Sequence, residues 1–272
     1  MLQELIISQT NDLGKLSDIS VPMSYKEYEQ QRVNAYNSLQ GENKEKSILF
    51  DLYDCEICKN KMTTAFLDEY EEFSLKKCEC VKKRITLLNF KKSGLTEELK
   101  TKTFENFKAV EVWQKDFKNK ALDYTQSAEN EWFFAGGQSG AGKTHLCTAI
   151  CNYYLNEGKT VKYILWREIA QKLKACEYND IARENIFTEI KNADVLYIDD
   201  FLKSSKPENE INYAFEIINL RCISRKRTII SSEMTIKDID SIDSATGGRI
   251  FAQSRKFMIQ ISKDFNKNYR YR

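Results

Sequence analysis

Trp132-Phe133-Phe134-Ala135-Gly136-Gly137-Gln138-Ser139-Gly140-Ala141-Gly142-Lys143-Thr144-His145 reads as a short apolar strand, a glycine-rich turn and the opening of a helix. Inside it, Gly137 to Thr144 fits the spacing G-x-x-x-x-G-K-[ST]. The chemistry of phosphate explains these residue types. Glycines let the backbone wrap closely round anionic oxygens, and successive N–H groups then point inward as a nest. A helix opening near Lys143 adds its partial positive end. On this reading the cradle is Gly137, Gln138, Ser139, Gly140, Ala141, Gly142, Lys143, Thr144 and His145. Lys143 faces the β- and γ-phosphates of a nucleotide, and the Thr144 hydroxyl sits on Mg2+. A flexible surface turn would need neither the strand before it nor the amphipathic helix after it.

Outward from this stretch the chain alternates strands and helices. Thr103–Phe107 precedes a helical stretch to about Ser127. Leu146, Ala149, Ile150 and Tyr153 recur at helical spacing, and that helix ends near Gly158. Val161–Trp166 predicts a strand, and 167–178 and 181–191 predict helices. Asp194-Val195-Leu196-Tyr197-Ile198-Asp199-Asp200 is an apolar strand ending in two carboxylates. A helix from Glu208 to Ser224 and a strand over Arg227–Ser232 follow. Such alternation predicts an α/β domain whose parallel sheet is covered by helices on both faces. Its ligand binds beyond the carboxyl ends of the strands. Asp199 then holds Mg2+ beside Thr144, 55 residues earlier, and Asp200 orients or deprotonates an attacking water.

At 272 residues the chain can hold one large domain or two small ones. With 42% apolar and 30% charged residues it reads as soluble and globular. The formal charge of +2 makes any basic surface a local one. No apolar run approaches the roughly 18 residues of a membrane span. Met1-Leu2-Gln3-Glu4-Leu5 lacks the basic start and apolar core of a secretion signal. The expectation is a cytoplasmic protein with no membrane partner, its 8 cysteines reduced.

Ser24-Tyr25-Lys26-Glu27 has capping-box spacing after Pro22 and predicts a helix from Ser24. Tyr25, Tyr28, Val33 and Tyr36 would form one apolar face, for packing or for docking a partner. Further on, Cys55-Glu56-Ile57-Cys58 and Cys78-Glu79-Cys80 form a CxxC and a CxC. Four thiolates in two close pairs suit a closed, tetrahedral, structural zinc site. The single histidine, His145, lies in the phosphate loop, so the ligands are Cys55, Cys58, Cys78 and Cys80. The segment between the pairs is short, and zinc would supply its folding energy, ~10–16 kcal/mol in small domains. Incidental buried cysteines and a redox dithiol are the competing readings. Lys76, Lys77, Lys82, Lys83, Arg84, Lys91 and Lys92 surround and follow the second pair, as a solvated helix face or a phosphate contact. Residues 93–102 read as a linker. This divides the chain into a small, partly helical zinc-binding domain over 1–92 and a nucleotide domain over 103–272.

Gly137–Thr144, Asp194–Asp200, Thr228–Thr235, Gly247–Ile250 and the cysteine pairs together resemble the bacterial and phage replicative helicase loaders, the DnaC/DnaI group of AAA+ ATPases. The ATPase part of the resemblance covers about residues 100–272. It implies an AAA+ P-loop fold, ATP hydrolysis, and an amino-terminal domain that docks a hexameric replicative DNA helicase. It also implies contact with single-stranded DNA and self-association in a ring or spiral. Ser231-Ser232-Glu233 stands where the family usually carries a polar sensor of the γ-phosphate ending in asparagine. Glu233 occupies that position. A carboxylate repels phosphate unless protonated, paired or turned away, and Ser232 is the substitute. Arg249, in Gly247-Gly248-Arg249-Ile250, matches the arginine finger that reaches a neighbouring subunit's γ-phosphate, with Arg221 in reserve. A transposition helper ATPase and a nucleotide-gated adaptor with little hydrolysis are the alternatives. The four-cysteine segment favours the loader over the first of these. Lys263–Arg272 interleaves basic and aromatic residues, which suits either single-strand binding or a closing strand packed on the sheet.

Overall fold

The computed structural model describes residues 23–39, 55–203 and 208–271. Met1–Leu5, Pro22 and Arg272, named above, lie outside the described residues. The chain falls into two compact units that divide between Ile85 and Thr86. Among the described residues no helix is long and apolar enough to cross a membrane.

The first unit opens with α1 (Tyr25–Ser38). Ser24 Oγ accepts the Glu27 N–H at 3.3 Å, and the Glu27 carboxylate accepts the Ser24 N–H at 2.8 Å. This is the capping box predicted from the sequence. Of the expected apolar face, Val33 is buried and Tyr36 packs edge-on against Phe73, while Tyr25 and Tyr28 are exposed. Strands β1 (Thr63–Leu67) and β2 (Phe73–Lys77) form an antiparallel hairpin between the cysteine pairs. Asn37 closes an edge of it: its side-chain amide donates to the Ala65 carbonyl and accepts the Ala65 N–H, both at 2.9 Å. One side chain thus satisfies backbone groups that a further strand would otherwise pair. Helix α2 (Cys80–Lys92) starts at the second cysteine of the CxC and runs past the division at Ile85.

In the second unit α3 (Glu97–Lys100) and α4 (Val112–Gln126) precede β3 (Phe133–Gly137) and α5 (Lys143–Asn156). Then come β4 (Val161–Leu165), α6 (Trp166–Ala175), α7 (Asp180–Asn192) and β5 (Val195–Asp199). Helix α8 (Glu208–Ser224), β6 (Arg227–Ser231), α9 (Ile236–Ile242), α10 (Ser244–Ser254) and β7 (Met258–Ile261) complete it. The five strands are parallel, in the order β4-β5-β6-β3-β7. Both faces are dry. Phe133, Ala135, Val195, Tyr197 and Ile229 point to a core shared with α4 and α5. Their neighbours Phe134, Leu196, Ile198 and Ile230 point to a second core filled from α6, α8 and α10. This period of two on strands that are apolar throughout marks a sheet sandwiched between helical layers. Each fully buried large side chain contributes roughly 1.5–3 kcal/mol.

Residues 93–102, expected as a linker, include packed positions. Leu95 belongs to the core of α4 and α5, and the Ser93 carbonyl accepts the Tyr163 N–H at 2.7 Å. Arg221, the reserve arginine finger, is fully buried. Its guanidinium donates to the carbonyls of Ile190 and Ala193, both at 2.9 Å, to the Arg227 carbonyl, and to Thr228 Oγ1 at 3.0 Å. Those acceptors make it a tie between α7, α8 and β6. The strand order has one consequence for the site. Because β6 lies between β3 and β5, the segments that follow three neighbouring strands converge at one end of the sheet.

Candidate functional site

The turn after β3 depends on backbone that only glycine adopts cheaply. Gly140 and Gly142 have φ of 71° and 84°. A carbon added at Gly142 would press on the Phe107 ring, and one at Gly140 would overlap Asn268. Gly142 is also the N-cap of α5, so the free N–H groups of the first helical turn open on the loop. Lys143 is buried, and its ammonium donates to the carbonyls of Gly137 at 2.9 Å and Gln138 at 2.7 Å. Burial pushes its pKa down, opposed by the charges of Glu233 and Asp200.

Thr144 Oγ1 donates to Asp199 Oδ1 at 3.1 Å, which joins the two residues singled out for Mg2+. Buried Asp199 also accepts from the Tyr197 hydroxyl at 2.8 Å, the Asp200 N–H at 3.1 Å, the Tyr163 hydroxyl at 3.3 Å and the Ser231 hydroxyl. The His145 side chain turns away from the loop. Its Nε2 lies 2.9 Å from both the Thr103 carbonyl and Asn106 Oδ1, and its ring packs edge-on against Phe107. Burial lowers its pKa. The side chain serves the segment before α4, not the phosphate turn.

Beyond Asp199 the chain turns sharply, with Asp200 at φ 53°. Lys203 lies 3.0 Å from Asp200 Oδ2 and 3.0 Å from Glu233 Oε1. Ser139 of the loop lies near enough to Glu233 to act on its carboxyl. Burial raises its pKa, but Ser139 and Lys203 outweigh burial and hold it below the usual carboxylate value. Of the three escapes from phosphate repulsion, this carboxylate takes pairing. The sequence reading passed over Lys203, whose one signal is its place three residues after Asp200. The Ser232 hydroxyl, the substitute sensor of the sequence reading, points into the fold. Ser232 is fully buried, and its hydroxyl donates to the Phe201 carbonyl at 2.7 Å and accepts the Met234 N–H at 3.1 Å. Arg249 stands half-buried on α10, over the Phe215 ring at 4.9 Å and donating to the Ala245 carbonyl at 2.9 Å.

After β7 the chain forms two short 3-10 turns, Phe265–Lys267 and Tyr269–Tyr271, where a closing strand was one expectation. These turns lie against the phosphate loop. The Tyr269 N–H donates to the Gly140 carbonyl at 3.1 Å, and the Asp264 N–H donates to Gln138 Oε1 at 2.9 Å. The Tyr269 hydroxyl donates to Glu111 at 2.9 Å. Phe265 and Tyr271, 75% and 70% exposed, stack on each other at 5.3 Å with 12° between their planes. In the first unit, Cys55, Cys58, Cys78 and Cys80 are buried with their sulfurs within 4.8 Å of one another. The Sγ atoms of Cys55 and Cys78 are 3.8 Å apart, and those of Cys58 and Cys80 3.4 Å. A tetrahedron of sulfurs about 2.3 Å from a zinc ion has edges of about 3.8 Å, so the donor set fits that ion.

The tail contact gives a measurable expectation. Gly140→Ala should strain the loop and displace Asn268, speeding tryptic cleavage after Lys263 and Lys267. Cleavage at the wild-type rate would show that the tail is not seated through Gly140.

Residues 72–245 match the family model described as IstB-like ATP binding protein. Among curated relatives, the uncharacterized protein YqaM of Bacillus subtilis is 32% identical over 211 residues, covering 72% of this chain and 66% of that one. The replicative helicase loader DnaC of Escherichia coli K12 is 26% identical over 169 residues, covering 61% of this chain and 68% of the loader. The chain therefore spans about two thirds of the length of these two relatives. The crystal structure of the DnaC helicase loader superposes with a TM-score of 0.53 at 16% identity, covering 62% of this chain and 100% of that one. That likeness is one of fold, a parallel sheet between two layers of helices. The chain belongs to the family of IstB-like ATP-binding proteins.

Proposed function

We propose that this protein is an ATPase that loads a hexameric replicative DNA helicase at the initiation of DNA replication. The observation that carries the catalytic part is the meeting of Lys143, Thr144, Asp199 and Asp200 at the ends of β3 and β5. The Gly137–Thr144 amides cradle the phosphates. Thr144 and Asp199 offer hard oxygen donors already in contact, which suits Mg2+. Asp200 orients the attacking water, and Arg249 reaches the γ-phosphate of a neighbouring subunit in a ring or spiral. Residues 1–92 dock the helicase. Single-stranded DNA meets the exposed Phe265–Tyr271 stack, flanked by Lys263, Lys267 and Arg270, as rings on bases and cations on phosphates. Similarity to the E. coli loader supports this reading over a transposition helper, which would leave the four-cysteine unit without a role. Measured turnover separates it from an adaptor that binds ATP without hydrolysing it.

Lys143→Ala should abolish ATP binding, because it removes the cation facing the phosphates. Asp200→Asn should keep binding and lose about 10²-fold or more in turnover, the usual cost of a missing general base. Wild-type turnover in Asp200→Asn would remove the second carboxylate from the mechanism. Co-sedimentation with a hexameric replicative helicase from the same cells tests the loader role, which fails if no complex forms with or without ATP.

Zinc is the ion assigned to the cysteines. Burial and the neighbouring thiol of Cys58 push Cys80 up to about 12, so its thiolate calls for a cation beside it. Purified protein should contain one zinc per chain. Cys55→Ser and Cys80→Ser should release it and melt the first unit while leaving ATP binding intact. Metal analysis finding no zinc in protein prepared without chelator would refute the assignment.

A further inference from the structure

Five charged groups crowd the ends of β3, β5 and β6: Lys143, Asp199, Asp200, Lys203 and Glu233. Four of them have a place in the proposed ATPase or in the family pattern, and Lys203 has none. Glu233 takes the position where a polar γ-phosphate sensor is expected, yet an ionised carboxylate only accepts hydrogen bonds. It has nothing to offer a phosphate oxygen. The two strand-end hydroxyls nearby are engaged elsewhere: Ser231 on Asp199 and Ser232 on the Phe201 carbonyl. Lys203 is held 3.0 Å from Asp200 and 3.0 Å from Glu233, with its side chain 42% exposed.

We propose that Lys203 is a catalytic residue that contacts the γ-phosphate in place of the missing polar sensor, with Glu233 as the residue that positions it. The inference rests on the ATPase reading above. The two carboxylates hold the ammonium where the γ-phosphate arrives beside Asp200, and a flexible four-carbon stem lets it exchange one carboxylate oxygen for a phosphate oxygen. The acid at position 233 thus carries a cation to the phosphate that it would otherwise repel. In the reaction the water oxygen bonds to the γ-phosphorus as the bond to the β–γ bridging oxygen breaks. That electron pair leaves on ADP, and the water proton passes to Asp200. Lys203 offsets the charge that collects on the transferring phosphoryl oxygens.

The test compares full-length wild type with Lys203→Met, Lys203→Arg and Lys203→Met/Glu233→Ala, using MgATP turnover and MgADP binding. Lys203→Met should lower kcat about 10²-fold, the usual cost of losing one donor to transition-state charge. ADP lacks the γ-phosphate, so its affinity should stay within about twofold, which also reports a folded site. Lys203→Arg should retain most of the turnover. The double variant separates catalysis from simple screening of Glu233. If Lys203 only neutralises that carboxylate, deleting both charges restores kcat, and the proposal is overturned. If Lys203 acts on the phosphate, kcat stays low in the double variant. Wild-type kcat in Lys203→Met, or lost ADP binding in both Lys203→Met and Lys203→Arg, also overturns it. Wild-type protein without ATPase activity would instead sink the ATPase reading itself.

Discussion

A single buried carboxylate holds the nucleotide end of this fold together. Asp199 sits at the tip of β5, and its oxygens accept from Thr144 on α5, Tyr163 on β4, Tyr197 on β5, Ser231 on β6 and the Asp200 amide. An isolated carboxylate buried this deeply would cost several kcal/mol, and charge-assisted hydrogen bonds offset that cost. Each donor also fixes the element it comes from. The bond to Thr144 sets the first turn of α5 and therefore the exit of the glycine loop. The bond to Ser231 fixes the end of β6, two residues before Glu233. Replacing the carboxylate would loosen the loop, the strand tips and the sharp turn at Asp200 together.

The part of this arrangement that was legible in the sequence is the part encoded by short spacing. The glycine loop, Lys143 and Thr144 lie within eight residues, and the apolar run ending at Asp199 marks a strand tip. Ser24 and Glu27 form their cap three residues apart, and the cysteines come in close pairs. What escaped needed a face or a long-range partner. Ser231 and Ser232 are adjacent, yet alternation at the strand end sends one hydroxyl to Asp199 and the other to the Phe201 carbonyl. A one-residue difference thus decides site against core, and composition carries no trace of it. Arg221 looked available because a lone helical arginine gives no sign of four backbone and side-chain acceptors arriving from α7 and β6. The tail missed for the same reason, since its partners at Gln138 and Gly140 lie more than a hundred residues upstream.

The first unit shows the same dependence on a few polar contacts in a smaller space. Its buried apolar side chains among the described residues are Val33, Ala65 and the four cysteines. Small domains with few large apolar side chains inside rely on staples. The cysteines supply one. Further contacts come from Asn37 on the edge of β1 and from buried Glu29, which accepts the Phe73 N–H at 3.0 Å and pairs with Arg32 at 2.8 Å. Asn60, at φ 67°, accepts the Cys55 N–H at 3.1 Å and Arg84 at 2.6 Å, so the turn after Cys58 is tied to α2. These contacts set direction and register around the sulfur cluster.

The phosphate loop is gripped from both sides, and this bears on how it can respond to a ligand. On its inner side the Lys143 ammonium holds the Gly137 and Gln138 carbonyls. On its outer side the tail holds the Gly140 carbonyl and the Gln138 side chain. A polyphosphate that recruits Lys143 must take it from those two carbonyls, and each such exchange is worth about 1 kcal/mol net. The outer contacts come from backbone groups of the tail and need not break. The loop can therefore change its inner partners while its outer face stays fixed, so the disturbance passes along the chain on either side. On one side lies α5. On the other lies Ser139, beside Glu233, which pairs with Lys203, itself paired with Asp200.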